Sequence, residues 1–189
     1  MTRMLPSREI NLFETEGELL YKDIYSPDAI ASIEQLIQDG MSELDKRDLH
    51  TRSLETSKTL VTRELAHMIH QLTKQSVIRI AATKYHNTKY DADWAAPSDL
   101  FCVAPIIAMG ILYLEPHEEM QRGDFKIIAG KKRFDLTALG TKSILIAFSP
   151  VELAYGKNEL DPIVHAWKRD GLNFGDPLPS SSHPVIFKR

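Results

Sequence analysis

Several signals that often assign a function are missing from this sequence of 189 residues. It has one cysteine, Cys102, so no disulfide can form within the chain. A single thiol in an apolar stretch is typical of a buried, inert side chain, and the lack of disulfides favours a reducing compartment. The sequence also has no glycine-rich phosphate loop, no Cys-x-x-Cys pair and no Gly-x-Ser-x-Gly elbow.

Long apolar runs and an excess of positive charge are missing as well. The longest apolar stretch, residues 101–114, contains a proline and is too short to cross a bilayer, so it predicts buried strand. Residues 1–13 lack the apolar core of a signal peptide. The net charge of −3 disfavours a large nucleic-acid surface. We therefore expect a cytoplasmic protein whose partner is a small molecule or a protein, not nucleic acid or a membrane.

The first part of the chain carries helix signals. Ser26 can cap a helix and Pro27 suits its first position, so the apolar spacing that follows predicts a helix over 26–44. A second apolar stripe predicts a helix over 57–75. The mixed-charge segment between them, which includes residues 46–53, is typical of a solvated connection.

After residue 75 the sequence changes to short β-branched and aromatic runs that turn residues separate, as in antiparallel strands. The runs are SVIRIAATKYH, IIAMGILYLEP, DFKIIAG, RFDLTAL, KSILIAFSP and PIVHAWK; residues 17–25 predict an earlier strand and GKK at 130–132 a hairpin turn. Helices followed by strands predict an α+β fold, with the helices packed on one face of a β-sandwich or barrel. The length fits a single domain, 1–189, with a mainly helical part at 1–75 and an extended tail at 171–189.

Two acids stand two residues apart in YHNTKYDADW, directly after the first of the later strands. Side chains two apart on a strand point to the same side, so Asp91 and Asp93 predict either a pocket wall, with or without a metal, or an exposed acidic turn. The same stretch also holds His86, Tyr90 and Trp94.

The order of these motifs resembles the jelly-roll, or double-stranded β-helix, oxygenases that use Fe(II) and 2-oxoglutarate, such as the prolyl hydroxylases. In that family a strand with the metal motif precedes an LxYLN strand, a GGE/D turn and a G-x-ALLF strand. Here KYHNTKYDAD is followed by AMGILYLEP, RGDFKI and LGTKSILIAFSP. The resemblance covers residues 76–170 and implies a jelly-roll core there, with Fe(II) and 2-oxoglutarate as the cofactors of the family.

The chain departs from the ligand pattern of that family, in which a His-x-Asp/Glu pair and a later His hold the iron. Asp91 stands at the first His position, Glu152 lies near the second, and the nearest later histidine is His165. The resemblance therefore implies a degenerate metal centre, whose pocket-facing candidates are Asp91, Asp93, Glu152 and His165. The candidate cations for the carboxylate of a cosubstrate are Lys157, Lys168 and Arg169.

Three functions stay open. The missing His-x-Asp motif favours a non-catalytic module that binds a small molecule or a protein. One alternative is an atypical metal-dependent 2-oxoglutarate oxygenase, whose carboxylate ligands would favour Mg, Ca or Mn over iron. The other is a metal-responsive DNA-binding regulator. Two further histidine groups have simpler interpretations, namely a hairpin tip at His117-Glu118 and boundary positions of a packed helix at His67 and His70.

Overall fold

The computed structural model describes residues 4–38, 40–91, 93–158 and 161–188. The helices of this part of the chain are α1 (Ser7–Glu16), α2 (Pro27–Glu34), α3 (Leu54–Leu60), α4 (Arg63–Thr73) and α5 (Ile163–Arg169). The strands are β1 (Glu18–Tyr21), β2 (Val77–His86), β3 (Trp94–Ala95), β4 (Val103–Ala104), β5 (Ala108–Tyr113), β6 (Phe125–Ala129), β7 (Phe134–Asp135), β8 (Ser143–Ser149), β9 (Ala154–Tyr155) and β10 (Val185–Lys188).

Side-chain caps fix the starts of three N-terminal helices. The hydroxyl of Ser26 accepts a hydrogen bond from the N–H of Ala29 at the start of α2. Helix α2 ends at Glu34, earlier than the predicted helix over 26–44, and Gly40 beyond it has a φ of 79°, which a right-handed helix cannot contain.

The predicted helix over 57–75 is two helices. The backbone of Val61 is extended and ends α3, and the Thr62 side chain then caps α4 by accepting from the N–H of Leu65. A local cap at Thr62 thus interrupts an apolar stripe that fits one continuous helix. Helix α1 was not predicted, because its residues are mostly exposed and its apolar stripe is weak.

The strands form a six-stranded antiparallel sheet in the order β1-β6-β5-β8-β2-β10, and two antiparallel ladders, β3-β7 and β4-β9. Every residue of β5 and β8 is buried, as is expected of strands that are covered on both faces. The protein is thus mixed in helix and strand, with a core rich in β-sheet.

Three predicted details are wrong. The GKK segment turns after β6, but it does not close a hairpin, because β6 pairs with β1 and β5 while β7 pairs with β3. The PIVHAWK run forms α5 and not a strand; the spacing of Ile163, Val164 and Trp167 also fits one helix face, and periodicity cannot separate the two in so short a run. In RFDLTAL only Phe134–Asp135 is strand, because the Asp135 carboxylate accepts from the N–H of Thr137 and starts a 3₁₀ turn.

Two apolar clusters lie on the two faces of the large sheet. The first joins side chains of the N-terminal helices to residues such as Ile78 and Phe148. The second joins Met109 and Leu145 of the sheet to residues of both ladders, so the ladders cover this face. No helix in the described ranges is long and apolar enough to cross a membrane.

Candidate functional site

The predicted pocket-facing residues lie at the surface. Asp91, Asp93, Glu152 and His165 are all exposed, the last on α5. Of the four, Asp93 lines the pocket described below, with its Oδ1 accepting from the N–H of Trp94 at 2.7 Å. Across the residues that the structure describes, no three His, Cys, Asp or Glu side chains lie close enough together to hold a metal ion.

The other sequence candidates are also peripheral. The predicted cosubstrate cations, Lys157, Lys168 and Arg169, are exposed. The His117-Glu118 segment joins the paired strands β5 and β6, as a hairpin tip does. His67 and His70 lie on α4, where the His70 ring stacks on Phe187 with 4.3 Å between ring centres, and the Nδ1 of His67 bonds the Gln71 side chain.

A pocket of about 320 Å³ opens where β2 ends, between the large sheet and the β3-β7 ladder. A bulge in β2 between Ile80 and Ala82 sets which residues face it, because an extra residue shifts the alternation of side chains. Beyond the bulge, Lys84 and His86 point to the second cluster and Tyr85 to the first. The other lining residues are Tyr90, Asp93, Trp94, Ala95, Asp99, Leu100, Leu136, Leu139 and Leu145.

His86 is the buried polar group of this pocket. It is only 2% exposed, and its Nε2 has no hydrogen-bond partner among the described residues. Its ring stacks on that of Tyr90 at 5.1 Å between ring centres, with 6° between the planes. Burial, and then the charge of Lys84, lower the pKa of His86 to about 4 against the opposing effect of backbone hydrogen bonds with Gly140 and Thr88, so the imidazole is neutral at pH 7.

Lys84 supplies a positive charge to the pocket wall. Burial lowers the pKa of this half-buried lysine, an effect that the Asp161 carboxylate opposes. Within the described ranges its ammonium makes no hydrogen bond or ion pair. Lys84, His86 and Tyr90 also line a second cavity of about 280 Å³ beside Glu43 and Pro162, so the two cavities share these three residues.

A buried ion pair adjoins the site. The Arg47 guanidinium donates to the Asp161 carboxylate through Nε and Nη2, at 3.1 and 2.8 Å, and also contacts Asp48. Asp161 accepts a third bond from the N–H of Cys102, at 2.9 Å. Burial would raise the pKa of Asp161, but Arg47 holds it below its usual value. Residues 46–50, the segment that contains Arg47, are buried. The prediction of a solvated connection over 46–53 is therefore wrong for these five residues.

Comparisons with known proteins identify the fold. No protein-family profile matches the sequence, and no curated protein matches it significantly. Several solved structures do match the fold of this chain. SnoN, a non-heme α-ketoglutarate-dependent epimerase from nogalamycin biosynthesis, has a TM-score of 0.68 and 13% identity, over 95% of this chain and 98% of its own. EctD from S. alaskensis has a TM-score of 0.59 and 12% identity, over 78% of each chain. CT296 from Chlamydia trachomatis has a TM-score of 0.55 and 17% identity, over 79% of this chain and 97% of its own.

The residues present do not fit the Fe(II) and 2-oxoglutarate that this fold implies. Apolar side chains such as Val103, Met109, Ile111 and Phe134 pack between the sheet and the ladders, and among the described residues no three His, Cys, Asp or Glu side chains group as metal ligands. The chain thus shares the fold of the Fe(II)/2-oxoglutarate oxygenases, as the order of its motifs predicts, without a fitting set of ligands in the part of the chain described.

Proposed function

We propose that this chain is a small-molecule-binding protein on a double-stranded β-helix, and that its functional site is the pocket beside Lys84 and His86. On this proposal the protein is one domain over 1–189, with a helical part at 1–75, a jelly-roll core at 76–170 and a tail at 171–189. Its function needs neither Fe(II) nor 2-oxoglutarate. A cytoplasmic location stays a prediction from the single cysteine.

The observation that carries the proposal is His86, which lines the pocket and whose buried Nε2 has no hydrogen-bond partner among the described residues. Buried polar atoms nearly always have a hydrogen-bond partner, and one left without costs about 1–3 kcal/mol. A bound molecule that bonds to Nε2 would remove this cost. The leucines of the wall would supply the apolar contact that most small-molecule sites use.

The apolar second cluster supports binding over metal-dependent turnover. Val103, Met109, Ile111 and Phe134 fill the space between the sheet and the ladders with side chains that are not metal ligands. The pocket lies at the end of that cluster, beside these packed side chains and not among them.

The test is a fragment screen followed by leucine methyl NMR. Fragments that bind this pocket are expected to shift the methyl signals of Leu136, Leu139 and Leu145, which line it. In a Trp167→Phe background they should also change the fluorescence of Trp94, the other tryptophan of the chain.

A blocked pocket makes the test specific. Ala95→Phe adds a ring to the pocket wall, so it should abolish the methyl shifts. Ala154→Phe is the matched control, because Ala154 is also a partly buried alanine of a two-residue strand but does not line the pocket. Fragments that bind Ala95→Phe as well as the native protein, or no fragment binding at all, would contradict the proposal.

A further inference from the structure

We infer that the ligand of this pocket is a small monocarboxylate with an apolar body, and that Lys84 and His86 bind its carboxylate. This inference rests on the proposed function and names the chemical class of the ligand.

The first step is the charge balance around Lys84. Its cationic neighbours are already paired, since the Lys46 ammonium bonds Glu43 at 2.5 Å and Arg47 bonds Asp161. Lys84 has no such partner in the part of the chain that the structure describes, and it lines both cavities. A half-buried cation without a counterion favours an anionic ligand.

The second step is the geometry of β2. Lys84 and His86 are two residues apart, so their side chains leave the same face of the strand. A neutral imidazole has one N–H, and the backbone of Gly140 and Thr88 lies within reach of the ring, so this step requires the tautomer that carries the proton on Nε2, which donates one hydrogen bond without adding a second positive charge. Two donors on one face of the strand can each bond one oxygen of a ligand carboxylate. A ligand with a neutral group in place of the carboxylate would lack the charge-assisted hydrogen bond from Lys84.

The third step concerns the other end of the ligand. Leu136, Leu139 and Leu145 make the far wall apolar, and the volume of about 320 Å³ has room for roughly ten water-sized groups. Asp93 and Asp99 also line the pocket, and they already accept backbone N–H bonds from Trp94 and Ala96, at 2.7 and 2.8 Å. These carboxylates would repel a second negative charge, so the site favours a monocarboxylate over a dicarboxylate.

The experiment titrates the native protein with matched probes, namely octanoate and octanamide, 4-phenylbutyrate and its amide, and glutarate, followed by calorimetry and leucine methyl shifts. We expect each monocarboxylate to bind at least about tenfold more tightly than its amide, as the loss of one charged hydrogen bond implies. Glutarate should bind more weakly than octanoate.

Variants assign the preference to residues. Lys84→Met should bring the acid and the amide to within about twofold of each other, and His86→Phe should weaken the acid more than the amide. Lys126→Met is the matched control, because Lys126 is also a strand lysine with a largely buried side chain, but it pairs with Glu18 away from the pocket. It should leave the tenfold preference unchanged.

The outcomes separate this inference from the proposed function. Equal binding of acids and amides, tighter binding of octylamine or glutarate, or a preference that survives Lys84→Met would overturn the ligand class while leaving a working pocket. If neither these probes nor any screened fragment binds, both proposals fail. If fragments bind in the pocket but the monocarboxylates do not, only the ligand class fails.

Discussion

At the scale of single residues, the pair of Arg47 and Asp161 decides where the segment after α2 lies. Both side chains are fully buried, and the Arg47 guanidinium also lies over the Phe101 ring, 5.1 Å from its centre. Hydrogen bonds to the Asp161 carboxylate, from Arg47 atoms at 3.1 and 2.8 Å and from the N–H groups of Cys102 and Ile163, offset part of the desolvation cost. The pair thereby ties the N-terminal segment to the loop before α5.

Removing one member of the pair is expected to lower the free energy of unfolding more than replacing both members. Arg47→Met leaves a buried carboxylate without its cation and should lower the free energy of unfolding by about 3–5 kcal/mol. The double variant Arg47→Met/Asp161→Leu should recover part of that loss, because two apolar side chains can pack in the same space while Asp48 still lacks its cation. Urea unfolding of the single and double variants measures both effects.

The exposed pair of Arg122 and Glu34 is the control. Arg122 donates through Nε and Nη2 at 3.0 and 2.7 Å, but both side chains remain more than a third exposed. Arg122→Met should therefore cost no more than about 1 kcal/mol. If the stability losses of Arg47→Met and Asp161→Leu simply add in the double variant, the two side chains do not stabilise each other and the prediction is wrong.

At the scale of elements, the C-terminal strand β10 is held by side chains from far along the chain. It pairs with β2 at the edge of the sheet, and the Arg79 guanidinium donates to the carbonyl oxygens of His183 and Leu178 at 2.8 and 3.0 Å. One ring nitrogen of His50 bonds the carbonyl oxygen of Ser182 at 2.8 Å. The sequence predicted an extended surface tail over 171–189, and its last part is a strand of the main sheet.

The stability that the segment before β10 contributes is expected to fall in acid. Burial, then the nearby His50, Arg47 and Arg79, lower the pKa of His183 to about 3, against about 6.5 in the unfolded chain. The folded state therefore holds a neutral His183, and the stability it contributes is present above pH 6.5 and lost as the pH falls from there towards 3. Between pH 6.5 and 5 the loss should reach about 1.6 kcal/mol.

The measurement is urea unfolding at pH 7, 6 and 5 of the native protein and of His183→Gln. The variant should show a shallower fall in stability, by about 1.4 kcal/mol per pH unit below 6. His165→Gln changes an exposed histidine of α5 and should keep the native slope. Identical slopes in the native protein and His183→Gln would contradict the assignment.

At the scale of the whole molecule, the sheet separates two clusters with different roles. The first packs helices α1 to α4 against one face, with buried residues such as Leu65 and Met68 of α4. The second is enclosed by the two ladders, in a fold shared with SnoN and EctD. The pocket at Lys84 and His86 lies at the end of this second cluster, where β2 ends.

We therefore expect chelator-treated protein to show no change in its unfolding midpoint with Mn(II), or with Mn(II) and 2-oxoglutarate. A ligand at a hundred times its dissociation constant stabilises by about 2.7 kcal/mol. Each kcal/mol moves the midpoint by roughly 2–4 °C at this chain length, so real binding would be plain in a thermal scan. A rise with Mn(II), and a further rise with 2-oxoglutarate, would instead support the atypical oxygenase.

The sequence by itself determined the features that depend on near neighbours. The cap at Ser26 needs a partner only three residues away, and the short β-branched runs predict β2, β5, β6 and β8. The order of those runs was enough to predict the oxygenase fold. The stretch that holds Asp91 and Asp93 also pointed to a possible pocket wall, and His86, Tyr90, Asp93 and Trp94 from it line the pocket.

Only the tertiary structure decided the features that depend on distant partners. Arg47 is buried because Asp161, 114 residues along the chain, neutralises it, and no local pattern in a mixed-charge segment carries that information. Lys84 faces the pocket because a bulge in β2 sets the alternation, and the leucines opposite it come from the turn after β7 and from β8. Local rules predict which elements form, whereas burial, register and charge pairing between remote segments determine which side chains meet.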